Sequence, residues 1–228
     1  QPFYPHFDFR YGKFEKQMFV SNVVAAPSSH WDLWLILKVF PDIDTNILLV
    51  RDIASKLPNL LFPILQVVIY PHMVAIDRIS ALKFYNKVFS AMFVFACIAI
   101  LILINQPGLV GTILFDQRLS IYNYIFVYFI VKSSGSLIAP LMMYMARSDF
   151  SLYRNLLHLI TFTIAFILVI SSFSSIGELD LYKIMISFIS FAMVFDSFII
   201  WRLSKDIKSY TYLLVLVFII LVLALLQF

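Results

Sequence analysis

The stretch NKVFSAMFVFACIAILILIN (residues 86–105) decides the fold. From Val88 to Asn105 it carries no charged side chain. A helix rises 1.5 Å per residue, so about 20 apolar residues cross the hydrocarbon layer of a bilayer. The apolar residues run on without alternation, which is not the pattern of a barrel strand. An open strand would also leave backbone groups unsatisfied in lipid.

Working outward, six further apolar runs cover residues 18–40, 46–70, 120–145, 153–171, 182–201 and 209–227. Together they predict an all-α polytopic membrane protein with about seven transmembrane helices. Composition agrees. The 228 residues are 62% hydrophobic and 13% charged, with mean hydropathy +0.93, where soluble domains carry about 25% charged residues. A soluble chain of this length could not bury so much apolar side chain. The single cysteine, Cys97, excludes a disulfide scaffold, and 24 phenylalanines exclude a disordered chain. The net charge is +4, but the basic residues are spread thinly between apolar runs, unlike those of a dedicated nucleic-acid binder.

The expected organisation is an amphipathic cytoplasmic entry segment over 1–17, a six-helix transmembrane lobe over 18–205 and an additional helix over 206–228. The chain opens with Gln1, and no signal peptide is read in its first residues; a fragment and a processed piece both fit this start. Loop charges give the orientation. Arg10, Lys13 and Lys16 precede the first run, and the next turn, Pro41-Asp42-Ile43-Asp44, is acidic. Basic and non-basic connections then alternate to Arg202, Lys205 and Lys208. Positive charge stays inside, so the N-terminus is expected in the cytoplasm.

Polar residues at bilayer depth are costly and therefore informative. The first run carries Ser21, Ser28 and Asp32, spaced to share one helix face. The second carries Asp52, Lys56, Asn59, Pro63 and Gln66 in a stripe, with Arg51 beside it. The fourth carries Tyr124, Tyr128, Lys132 and Ser136 at steps of four, with Ser133, Ser134 and Gly135 around the lysine. Asp196 lies in the sixth. For Arg51 and Lys38 the plain alternative is snorkelling to the interface. For Asp196 it is a satisfied contact between helices, and for the small residues a close-packing patch. Lys132 reaches neither interface easily and is expected to face a water-filled or protein-lined cavity, as is Asp32. Arg51, Lys56 and Lys132 outnumber Asp32 and Asp52, and a cationic cavity suits an anionic substrate such as a phosphate. His6, His30, His72 and His158 lack metal-ligand spacing, and there is no Gly-rich phosphate loop. No catalytic residue, metal or cofactor is therefore expected.

The helix from Arg51-Asp-Ile-Ala-Ser-Lys through Gln66-Val to Pro71-His-Met resembles one in the polysaccharide and O-antigen flippases. The approach Phe7-Asp-Phe-Arg-Tyr-Gly-Lys-Phe14, followed by Ser21-Asn22, Asp32 and Leu33 to Leu37, is similar to the entry of their second half. Leu114 to Asp149 resembles their helix ending in Ala-x-Gly-Arg-x-Asp, with Met145-Ala-Arg-Ser-Asp149 here and no glycine. The resemblance spans about residues 7–205. Such flippases belong to the multidrug/oligosaccharidyl-lipid/polysaccharide exporter superfamily.

The resemblance implies the C-terminal lobe of a MATE-like flippase fold in a bacterial inner membrane, with a missing N-terminal lobe as partner. The substrate would be an undecaprenyl-pyrophosphate-linked oligosaccharide for surface polysaccharide or O-antigen. Lys132, Arg51 and Lys56 would meet its pyrophosphate or sugar acids, within a cavity that Asp52 also lines. Asp32 would pair with a basic residue or carry a proton. Asn59, Gln66 and Ser136 would bond sugar hydroxyls, and Pro27, Pro63 and Pro140 would bend helices during rocking. The alternatives are a multidrug exporter of the same superfamily, or a polytopic membrane enzyme or structural subunit of envelope polysaccharide synthesis.

Overall fold

The computed structural model describes residues 16–17, 19–26, 30–57, 60, 64–116, 118–145, 148–171, 176–204, 219–220 and 222. It is 89% helical, with no strand among the described residues. In chain order the helices are α1 (19–26), α2 (Trp31–Val39), α3 (Thr45–Ser55), a π-helical turn (Ile64–Ile69), α4 (Tyr70–Ala75), α5 (Arg78–Asn105) and α6 (Leu109–Phe115). Then come α7 (Ser120–Ser134), a 3-10 turn (Gly135–Ile138), α8 (Ala139–Tyr144), α9 (Ser148–Ser171) and α10 (Glu178–Ser204).

Four helical stretches are long and apolar enough to cross a membrane: Arg78–Asn105, Ser120–Tyr144, Ser151–Ser171 and Glu178–Arg202. They coincide with four of the seven apolar runs. The run at 18–40 is distributed over α1 and α2, and that at 46–70 over α3 and the π-helical turn, each shorter than a bilayer crossing. The run at 209–227 lies largely outside the described residues, as do residues 1–15 of the entry segment.

The stretch Ser120–Tyr144 is the axis of the bundle. Its apolar window is 76% buried, against 22% for Arg78–Asn105 and 22% for Ser151–Ser171. Helices α3, α5, α6 and α10 all pack on α7. The outer helices bury one stripe and leave the rest exposed. On α5 the buried stripe is Leu82, Tyr85, Phe89, Phe93 and Ile100, while Phe95, Ile98 and Ile102 are exposed. Those spacings of three, four and seven keep the stripe on one helix face. Tyr85 also donates to the Leu137 carbonyl (3.2 Å), tying α5 to the 3-10 turn.

Local signals set the ends. Asp44, from the acidic turn, caps α3 by accepting from the Asn46 amide (2.9 Å). Asp77 caps α5 by accepting from the amides of Ile79 and Ser80, each at 3.0 Å. Gly108 opens α6 with φ +83, and a Cβ there would sit 2.9 Å from the Arg118 Cα, so only glycine fits. Asn123 fastens this corner: its Nδ2 donates to the carbonyls of Leu103 and Gln106 (both 2.6 Å), and its Oδ1 accepts from the Val110 amide (3.0 Å).

Candidate functional site: two buried charge clusters

The first cluster joins three helices. Asp32 lies in the first turn of α2 and is fully buried. Arg51 Nε donates to Asp32 Oδ2 (2.9 Å), and Lys132 Nζ donates to Asp32 Oδ1 (3.2 Å). The Arg51 side chain is 8% exposed and that of Lys132 20%. Lys132 lies 12 residues from either end of Ser120–Tyr144, or about 18 Å along the axis. Two cations therefore share one carboxylate at mid-span. Aromatic faces complete their surroundings. Lys132 Nζ stands 5.5 Å from the Tyr128 ring centre and 5.4 Å from that of Phe129, and the Arg51 guanidinium is 5.7 Å from Phe129.

Burying these charges would be prohibitive one at a time. Together the three are ion-paired, and the partner whose loss costs most is Asp32, the carboxylate that both cations contact. Arg51 does not snorkel: its place on α3, beside the buried Val50 and Ala54, turns it toward α2 and α7.

The other expected site residues are placed elsewhere. Asp52 and Lys56 form an exposed i,i+4 pair at 3.5 Å, because positions +1 and +5 from Arg51 lie about 100° and about 140° around the helix from it. Asn59 lies outside the described residues, as do Ser28, Pro27 and Pro63. Gln66 falls in the π-helical turn and Ser136 in the 3-10 turn. Pro140 sits at the start of α8, where a missing amide costs least. Ser133 and Ser134 are buried, and their hydroxyls donate to the Phe129 and Val131 carbonyls of α7.

The second cluster was only half visible in the sequence. Asp196 on α10 is buried and takes both Nε and Nη2 of Arg154 on α9, the latter at 3.0 Å. Arg154 Nη2 also donates to the Gly135 carbonyl (3.0 Å). His158 Nε2 lies 3.5 Å from Asp196 Oδ1 without hydrogen-bond geometry. Asp196 is thus a satisfied contact between helices, made with Arg154. Arg154 stands at the very start of the apolar run 153–171, where a charge is unremarkable in the sequence. One helical turn of α9 before it carries it into the bundle.

Ser21 serves a third contact. Its Oγ lies 2.9 Å from Ser151 Oγ and accepts from Asn155 Nδ2 (2.7 Å), which docks α1 on α9. Ser21 and Asp32, one face by spacing, therefore serve different partners. The clusters are bridged by aromatic rings. Trp31 stacks on Phe162 at 4.7 Å, and Phe162 meets His158 edge-on at 5.8 Å.

The fold and these clusters define a class: an all-helical protein with four helices able to cross a bilayer and with ion pairs buried between its helices. The chain matches no known protein family, no curated protein and no solved structure.

Proposed function

We propose that the chain is one lobe of a transporter that moves lipid-linked, anionic oligosaccharides across a bacterial inner membrane. The observation that carries this reading is the convergence of Arg51 and Lys132 on the single carboxylate of Asp32 at mid-span. Ionisable groups at that depth mark substrate or ion pathways in membrane proteins. Two cations drawn to one site favour a phosphate or pyrophosphate over a cationic drug. The short helix α2, whose first turn carries Asp32 into the bundle, is of the kind that carries binding residues in transporters.

On this reading about seven helices cross the membrane, the N-terminus faces the cytoplasm, and a second lobe encloses the substrate path. The chain acts as a carrier, without a catalytic step. The substrate is an undecaprenyl-pyrophosphate-linked sugar unit, and Lys132 is the group that exchanges its Asp32 contact for a phosphate oxygen.

The test is complementation of a bacterial strain lacking its polysaccharide flippase, with the full gene and with Lys132→Met. Wild type is expected to restore surface polysaccharide, and the variant to lose at least tenfold at equal membrane abundance. Full restoration by Lys132→Met, or resistance to cationic drugs without surface polysaccharide, would overturn the proposal.

A further inference from the structure

The start of α9 lies beside the end of α10, because Arg154 there holds Asp196. A groove of about 560 Å³ runs between the two helices. Tyr153 and Leu157 of α9 and Val194, Phe198 and Ile199 of α10 wall it, and Arg154 is the charged member of its lining. The groove opens to the outside of the bundle, where Tyr153 is 61% and Phe198 54% exposed. Both helices are long and apolar enough to cross a membrane. In a bilayer that opening meets hydrocarbon, and an apolar space of this kind takes an acyl chain rather than water.

One end of the groove is polar. Val194, Phe198 and Arg202 follow at steps of four and share one face of α10. Arg202 is exposed and closes the apolar span. It stands about 6 Å along the axis beyond Phe198, at the level where headgroups begin. Trp201, 40% exposed, lies against Phe198 with ring centres 5.7 Å apart. Exposed Trp and Tyr at a span end belong to that same level. Arg154 is committed to Asp196 and the Gly135 carbonyl, so Arg202 is the cation that a phosphate here meets. The sequence around this end adds Arg147, Lys205 and Lys208 against Asp149 and Asp206. Basic charge beside a spanning helix draws anionic lipid. A second apolar groove, of about 480 Å³ beside α5 and α7, has no charged residue in its described lining, and nothing there selects a headgroup.

We propose that the groove between α9 and α10 seats one anionic glycerophospholipid of the surrounding membrane. An acyl chain lies against Leu157, Val194 and Phe198, and the phosphate accepts from Arg202. The seat requires only that α9 and α10 cross the bilayer, and it holds whatever the chain transports.

The experiment releases the full chain from nanodiscs of equal phosphatidylglycerol and phosphatidylcholine, with identical acyl chains, into a native mass spectrometer. One retained phospholipid per chain is expected. Phosphatidylglycerol should be preferred about tenfold, as one charged contact gives. Arg202→Gln should erase most of that preference, while Lys83→Gln, at an exposed lysine of α5, should keep it. Val194→Trp fills the groove and should lower retention of both lipids. Should Val194→Trp fail to fold, Arg202→Gln decides alone, since its side chain is exposed. Equal retention of the two lipids by wild type overturns the proposal, as does an equal loss of preference in Arg202→Gln and Lys83→Gln: the chain then carries a general lipid shell only. Full retention by folded Val194→Trp overturns it too. So does a dimer or a monomer without bound lipid, because a second copy or residues 209–227 of the same chain then cover the groove.

Discussion

Asp32 holds the position on which most depends. Arg51 and Lys132 both contact its carboxylate, so Asp32→Asn removes the charge that the two cations share. The expected loss is about 3–5 kcal/mol of stability, read as a lower thermal midpoint in nanodiscs. Lys132→Met should cost clearly less, because Arg51 still pairs with Asp32 and methionine fills the stem's space. Equal losses for the two would show that the cluster is not built on Asp32. Asp77 answers a different question, that of pH. Hydrogen bonding from Ser80 holds its carboxyl below the ordinary carboxylate range, with the Ile79 amide acting in the same direction. A group lowered in the folded state adds stability above its unfolded pKa and loses it as pH falls through the folded value. The stability gap between wild type and Asp77→Ala should therefore shrink from about pH 5 to about pH 3, around the ordinary aspartate value of about 3.9. A gap independent of pH in that window would remove Asp77 as an ionic cap.

At the scale of elements, α7 and α9 are joined through the 3-10 turn. A Cβ on Gly135 would stand 2.9 Å from Arg154 Nη2 and 3.2 Å from Asp196 Oδ2. The arginine tip is normally flexible, but here Asp196 and the Gly135 carbonyl hold it on both sides. Gly135→Ala should cost about 1–3 kcal/mol, and Gly135→Ala together with Arg154→Ala should cost less than the sum of the two. Strict additivity in thermal unfolding would mean that the two sites do not touch. Asn123 makes the corresponding joint between α5, α6 and α7. Apolar helices gain little from meeting in lipid, where the tails are equally apolar, so such polar contacts matter for association.

At the scale of the molecule, the bundle is closed by contacts between distant parts of the chain. Ser21 and Ser151, separated by 130 positions, bring their hydroxyls to 2.9 Å. With Cys97 replaced by alanine, the pair Ser21→Cys and Ser151→Cys should crosslink on mild oxidation in the membrane. Val23→Cys, at an exposed position of α1, should not crosslink to Ser151→Cys. A shift in electrophoretic mobility reads the result, and crosslinking of the control pair instead would mean that α1 docks by another face.

The helical class was legible because a bilayer leaves a chain few options: long apolar runs must satisfy their backbone internally. Four of the seven runs are single helical stretches long and apolar enough to cross a membrane. That Lys132 and Asp32 are unusual was legible too, since charge in the middle of an apolar run is conspicuous; that they contact each other was not. The distribution of 18–40 over α1 and α2 was not, because hydropathy averages over a window and is blind to where a helix starts. Nor was the partition of the charges. Arg51 and Asp52 are neighbours in the sequence, yet one is buried against Asp32 and the other exposed beside Lys56, because adjacent helical residues point about 100° apart. The sequence by itself determined that this chain is helical, apolar and charged at depth. Only the tertiary structure decided which charges meet, because pairing depends on the rotation and depth of each helix against α7, set by packing between residues far apart in the chain.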